Sequence, residues 1–137
     1  MMKTHTTNYF NTLITVAEDC KVDCGTTPPE KDKKTIANYQ FDLLTKKPLK
    51  YTSDEVLFTV FSLRNDISAS KLNDEKIKFF SKGQPCLRTS PLAKTYGWGI
   101  YFDDKGKIKL IDSASDEYQN LIQNQSVNKK PAMKNKR

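Results

Sequence analysis

Apolar and polar residues alternate along two parts of this chain. Residues 10–17, FNTLITVA, are rich in β-branched side chains and alternate in a way that predicts a strand, although their apolar residues also share one helical face and leave a helix open. Residues 98–102 and 108–110 alternate around Asp103-Asp104-Lys105-Gly106, a turn sequence with glycine where positive φ is needed. The last third of the chain therefore predicts a β-hairpin.

Between these strands the apolar spacing becomes helical. An apolar stripe in residues 36–44 predicts a helix that ends before Pro48, and Thr52-Ser53-Asp54-Glu55 is a capping box that opens a second helix. A third helix is expected from near Ser70 to Gly83, and a last one over about residues 114–123.

The connecting segments carry their own signals. Residues 18–34 contain Gly25, two prolines and a run of charges, which predicts the longest loop. Residues 86–89 are expected to form a short strand, and Ser90-Pro91 is an N-cap followed by proline at the first position of a short helix. Together these elements predict an α+β fold: a small antiparallel sheet that includes the C-terminal hairpin and is covered by helices.

The charge pattern changes the interpretation of the C-terminus. The chain carries a net charge of +7, but five of its 23 basic residues and none of its 16 acidic residues fall in residues 124–137. That segment has few apolar residues, so we expect a single domain over residues 1–123 and a disordered basic tail over 124–137. The nearly balanced charge of the domain argues against nucleic acid as its main partner.

The length and the cysteine content of the chain indicate more closely which class of protein it belongs to. A chain of 137 residues suits one domain, and no apolar run approaches the roughly 18 residues that cross a bilayer. The N-terminal sequence MMKTHTTNYFNT lacks the apolar core of a signal peptide. The odd count of three cysteines favours free thiols, so a cytoplasmic protein with no membrane partner is expected.

Four segments of the sequence resemble a known family. They are NTLITVAEDC at 11–20, KKTIANYQFDLL at 33–44, KYTSDEVLF at 50–58 and FFSKGQPCLRTSPLAKTYGWGIYF at 79–102. The family consists of small uncharacterised bacterial proteins, catalogued as a domain of unknown function, and the resemblance covers most of residues 4–122. Lys21 stands where the family pattern continues with proline. The resemblance implies a bacterial cytoplasmic protein and no particular activity.

The block from Lys82 to Lys94 is the strongest candidate site. The backbone N–H groups of a helix that starts at Ser90 could bind an anion, with Arg88 two residues before that start and the two lysines on either side. We therefore expect a non-enzymatic binding or interaction protein whose small anionic ligand contacts Lys82, Arg88, Ser90 and Lys94. Capped helix starts without a ligand are the commoner case.

Three other functions are alternatives. A small enzyme stays open as the main one, whereas nucleic-acid binding and a zinc site are weaker predictions. A small enzyme could use Cys86 and Arg88 in the same cleft, although His5, the only histidine, is far away in sequence. The face of the hairpin that carries Tyr101, Lys107 and Lys109 could bind single-stranded nucleic acid together with the tail. Cys20 and Cys24 have poor zinc spacing, so neither a metal nor a cofactor is expected, and the sequence does not indicate an oligomeric state.

Overall fold

The computed structural model describes residues 5–135, which form one four-stranded sheet and five helices. The strands are β1 (Thr12–Thr15), β2 (Trp98–Phe102), β3 (Ile108–Asp112) and β4 (Asn128–Pro131). The helices are α1 (Ile36–Lys46), α2 (Ser53–Arg64), α3 (Leu72–Phe80), α4 (Pro91–Lys94) and α5 (Asp116–Gln123). None of these helices is both long and apolar enough to cross a membrane.

The sheet is mixed, with the strand order β3-β2-β1-β4. β2 pairs antiparallel with both β3 and β1, whereas β4 runs parallel to β1. The α+β class, the predicted strand in residues 10–17 and the hairpin are therefore confirmed. The expected antiparallel pairing holds for β1, β2 and β3, whereas the sheet as a whole is mixed because a C-terminal segment occupies the second edge of β1 in the parallel direction.

Both faces of the sheet are buried, as the central strand shows. Leu13 and Ile14 are successive residues of β1, point to opposite faces and are both fully buried. Ile14 belongs to the main apolar cluster, which also contains Leu44 of α1 and Val56 of α2, whereas Leu13 packs with Tyr118 of α5. The helices thus form layers on both sides of the sheet.

The helix starts follow from local side-chain chemistry. The hydroxyl of Thr52 accepts a hydrogen bond from the Glu55 N–H, and the Glu55 carboxylate accepts one from the Thr52 N–H, so the predicted capping box is confirmed. The bond from the Thr52 N–H is also the main reason why the pKa of Glu55 lies below its usual value. Thr35 and Asn38 make the same reciprocal pair at the start of α1.

Residues 86–89 do not form the predicted strand. Leu87–Thr89 is a turn of 3-10 helix, in which the Thr89 N–H bonds the carbonyl of Cys86 and the Ser90 N–H bonds that of Leu87. Pro85 and Pro91 bracket this turn. These bonds between residues three apart curl the chain into a turn, so the segment cannot form a strand ladder, although the Arg88 carbonyl accepts a single bond from the Met133 N–H.

The C-terminal segment is not the disordered tail that its composition suggests. Residues 128–131, NKKP, form β4. The Asn128 N–H bonds the carbonyl of Asn11, just before β1, and the Ala132 N–H bonds that of Thr15, the last residue of β1. Buried apolar residues anchor β4 at each end, namely Val127 at 7% exposure and Ala132 at 4%. Residues 136 and 137 of the predicted tail lie outside the described part of the chain.

The anchoring of β4 can be tested with one buried and one exposed position. Ala132→Asp should lower the free energy of unfolding by about 3 kcal/mol, because it places a carboxylate among apolar side chains. Met133→Asp adds the same charge at the neighbouring, 46% exposed position and should cost less than about 0.5 kcal/mol. Urea denaturation followed by circular dichroism measures both. Equal, small effects would show that the segment does not dock in solution.

Candidate functional site

A largely apolar cavity of about 350 Å³ lies between α1, α2, the end of α3 and the segment 84–91. We call it the Gln40 cavity. Seven of its twelve lining residues are apolar, five are polar and none is acidic, and the full set is Ile36, Gln40, Leu57, Val60, Phe61, Arg64, Phe79, Gln84, Pro85, Thr89, Ser90 and Pro91. Apolar walls with a few polar groups are the usual composition of small-molecule sites.

Two buried polar side chains contact each other at this cavity. The Ser90 hydroxyl donates a hydrogen bond of 2.6 Å to Oε1 of Gln40 and accepts one of 3.2 Å from the Leu92 N–H. Ser90 and Gln40 are each only 3% exposed. The bond therefore joins the start of α4 to the middle of α1, across 50 residues of sequence.

The other end of the Gln40 amide is available for binding. Its Nε2 makes no hydrogen bond to any of residues 5–135, although the residue is 97% buried. Every fully enclosed side-chain nitrogen or oxygen in the same residues does have a partner, so Nε2 must reach accessible space. The Gln40 cavity is the space that this residue lines. It therefore contains an amide donor without an acceptor.

The wall and the rim of the cavity differ in chemistry. Phe61 of α2 and Phe79 of α3 form part of the wall, with their ring centroids 4.9 Å apart. Arg64, in the last turn of α2, is exposed at the cavity and makes no ion pair with any described residue. Its position at a helix C-terminus is electrostatically favourable in itself.

The four residues predicted to bind an anion do not come together. Ser90 lines the Gln40 cavity. Lys82 lines a neighbouring depression that shares three lining residues with this cavity but also contains Glu75, and Lys94 lines a third depression that shares none. Arg88 is half-buried and contacts the C-terminal segment instead: its Nε donates to the Pro131 carbonyl at 2.7 Å, and its own carbonyl accepts from the Met133 N–H. Arg88 thus helps to hold the segment that includes β4.

The start of α4 does not present free N–H groups. Pro91 has none, Leu92 donates to the Ser90 hydroxyl, and the next two N–H groups donate to the Ser90 carbonyl. The prediction of an anion at this helix start assumed free backbone N–H groups, and that assumption is wrong. α4 is only four residues long, so all of its backbone donors are used within its own first turn.

Cys86 lies beside the Gln40 cavity but does not line it. The hydroxyl of Tyr9 donates a 3.3 Å hydrogen bond to its sulfur. Burial is the main cause that raises the pKa of Tyr9 to about 12, and the bond to Cys86 adds to it. Tyr9 therefore keeps its proton at neutral pH and serves as a donor to the thiol.

The hairpin face that was expected to be exposed is largely covered. Tyr101 packs in the apolar cluster beneath α5, and Lys109 forms a 2.9 Å ion pair with Glu117 of that helix. Lys107 is 3.6 Å from the Glu55 carboxylate. The aromatic and basic side chains expected to bind nucleic acid on this face thus contact other residues of the domain instead.

Residues 5–135 contain no group of three or more histidine, cysteine or acidic side chains placed to hold a metal ion. Cys20, Cys24 and Cys86 are free thiols, and His5 is exposed.

Sequence reasoning missed Gln40 and Arg64. Gln40 lies within the apolar stripe of residues 36–44, and a glutamine on the buried face of a helix needs a partner, which was the available signal. No feature of the sequence around Arg64 indicates a binding site, because Arg64 reaches the cavity only through the packing of α2 against the segment 84–91.

This α+β fold, with its apolar cavity and buried amide, can be compared with known proteins. The chain matches the family of unknown function DUF6157 over residues 4–137 and belongs to that family. No curated protein and no solved structure shows significant similarity to it.

The bond between Ser90 and Gln40 can be separated from ordinary helix capping. Ser90→Ala should lower the free energy of unfolding by about 3 kcal/mol, because it removes an N-cap and leaves a buried amide oxygen unpaired. Ser115→Ala removes the matching N-cap of α5, which has no such buried partner, and should cost about 1 kcal/mol.

A double-mutant cycle completes this test. Gln40→Leu combined with Ser90→Ala should cost about 1 kcal/mol less than the two single changes together, because the bond is lost only once. Denaturant unfolding of the four proteins measures this difference. Strict additivity would show that the two side chains do not interact in solution.

Proposed function

We propose that this chain is a non-enzymatic binding protein for a small ligand with an apolar body and an anionic group, held in the Gln40 cavity. The observation that carries the proposal is the Nε2 donor of Gln40, which is 97% buried, without a partner among the described residues and next to apolar walls. Because Nε2 is bonded to no acceptor within the described residues, an acceptor on a ligand can bind it without breaking a hydrogen bond of the protein.

The positive charge of the cavity lining supports an anionic ligand. Arg64 lines the cavity, none of the twelve lining residues is acidic, and Arg64 has no ion pair within residues 5–135. A guanidinium can donate two parallel hydrogen bonds to a carboxylate, sulfonate or phosphate. The proposal keeps the predicted anionic ligand and the contribution of residues 84–91, but assigns the cation to Arg64 rather than to Arg88, Lys82 or Lys94.

The size and shape of the site also fit a small ligand. A volume of about 350 Å³ lies at the lower end of the range that holds small molecules. Phe61 and Phe79 offer aromatic surface to an apolar body, while the Gln40 amide fixes its orientation.

The enzyme alternative depends on Cys86, and the hydrogen bond from Tyr9 is the one observation that favours a special role for this thiol. Because Cys86 does not line the Gln40 cavity, a ligand there would not contact the sulfur directly. Nucleic-acid binding stays the weakest alternative, and a location in a bacterial cytoplasm stays a prediction.

Binding can be measured with 8-anilinonaphthalene-1-sulfonate, which combines an apolar ring system with an anionic group. Isothermal titration calorimetry should show one site, and Thr89→Trp should abolish binding because the indole fills the cavity from an exposed lining position. Thr45→Trp is the matched control: its hydroxyl also donates to a backbone carbonyl, but Thr45 is exposed on α1 away from the cavity.

Two further variants separate the possible outcomes. Gln40→Leu should weaken binding, whereas Cys86→Ser should leave it unchanged. If Thr45→Trp and Thr89→Trp bind the probe equally well, the cavity is not its site and the proposal fails. A loss of affinity in Cys86→Ser would show that the thiol reaches the bound ligand, which the enzyme alternative requires and the present proposal does not.

A further inference from the structure

A basic groove continues from the rim of the Gln40 cavity. It has a volume of about 450 Å³, and its basic lining residues are Lys31, Lys33, Lys34 and Arg64. The two spaces share three lining residues, namely Ile36, Arg64 and Pro91. A ligand that fills the cavity can therefore extend past Arg64 into the groove without leaving the surface of the protein.

The positive charge of this groove is only partly balanced. Lys34 is paired with Asp42 at 2.9 Å, whereas Lys31, Lys33 and Arg64 form no ion pair with any of residues 5–135. No acidic residue lines the groove. Three cations thus line one depression, more than a single negative charge requires.

The loop that carries the lysines is tied to the rest of the structure just before them. Before them, the Gly25 N–H donates to the Asp112 carboxylate, and the Trp98 indole donates to the Thr26 carbonyl. Closer to them, the side-chain amide of Asn38 donates to the carbonyls of Pro28 and Pro29. These bonds fix the chain next to Lys31 and Lys33, which reduces the ordering that an anion would have to impose.

From the shared rim and the unpaired charge we infer that the ligand of the Gln40 cavity is an apolar phosphomonoester, whose phosphate lies in the basic groove against Arg64, Lys31 and Lys33. This rests on the proposed function and adds the chemical class of the anionic group. A phosphomonoester carries a charge of about −1.5 to −2 at neutral pH and has three strong acceptor oxygens, whereas a carboxylate or sulfate ester carries only one charge.

The test compares esters that share one body. 1-Naphthyl phosphate should bind about tenfold more tightly than 1-naphthyl sulfate in calorimetric titrations at constant ionic strength. The double variant Lys31→Gln/Lys33→Gln should remove most of that preference while changing the affinity for the sulfate about twofold at most. Lys71→Gln/Lys76→Gln removes the same charge from exposed positions near and on α3 and should preserve the preference.

Two further measurements identify the apolar part of the ligand and show whether that part occupies the Gln40 cavity. Octyl phosphate in place of the naphthyl ester distinguishes an alkyl from an aromatic body, and binding of either supports the inference. Thr89→Trp should weaken both phosphates strongly, because the body occupies the Gln40 cavity. Phosphate binding that survives this change would place the ligand in the groove alone and overturn the inference.

The remaining outcomes separate the two proposals. If the sulfate and the phosphate bind equally well and Thr89→Trp blocks both, the cavity is a binding site but the phosphate inference is wrong. If the control variant weakens phosphate binding as much as Lys31→Gln/Lys33→Gln does, the preference is non-specific attraction and the inference is again wrong. If every naphthyl and octyl probe fails to bind while 8-anilinonaphthalene-1-sulfonate still binds, only the phosphate inference is overturned. If that sulfonate also fails to bind, both proposals are overturned.

Discussion

The hydrogen bond between Ser90 and Gln40 is the interaction on which the candidate site depends. It is buried, 2.6 Å long and formed by residues 50 positions apart, so it fixes the start of α4 against α1 inside an apolar layer. α4 in turn holds the sheet, since its Ala93 carbonyl accepts from the Ala17 N–H just after β1. Such a bond adds only modestly to the free energy of unfolding. Removing one partner, however, leaves a buried polar group unpaired and lowers that free energy much more.

The same bond explains why the cavity is polar at one point and apolar elsewhere. One side-chain amide has an oxygen and a nitrogen, and Ser90 uses only the oxygen of Gln40. The nitrogen is left without a protein acceptor at a cavity that Phe61, Phe79 and Arg64 also line, with the basic groove beyond the rim. The proposed recognition of an apolar anion therefore rests on how α1 and α2 pack against the segment 84–91, and does not need a helix dipole or the side chain of Arg88.

Features encoded by neighbouring residues were predictable from the sequence, and features created by distant contacts were not. The capping box at Thr52 and the hairpin around Gly106 depend on spacing along the chain, and the structure confirms both. β4 was missed because its four residues, NKKP, pair through the backbone, which leaves no apolar alternation to detect. Tertiary packing also explains why the sequence indicated Arg88 and not Arg64 as a site residue. The partners of an arginine are set by this packing, which places Arg88 beside β4 and Arg64 at the cavity.

The most direct test of this account is the NMR signal of the Gln40 side-chain amide, assigned by its absence from the spectrum of Gln40→Leu. On titration with 8-anilinonaphthalene-1-sulfonate, the two Nε2–H resonances should shift as much as any in the protein and saturate with the affinity that calorimetry gives. Side-chain amides away from the cavity, such as that of the exposed Asn120 on α5, should stay in place. A bound probe that leaves the Gln40 signals unmoved would contradict the central claim that this buried donor is the recognition point of the site.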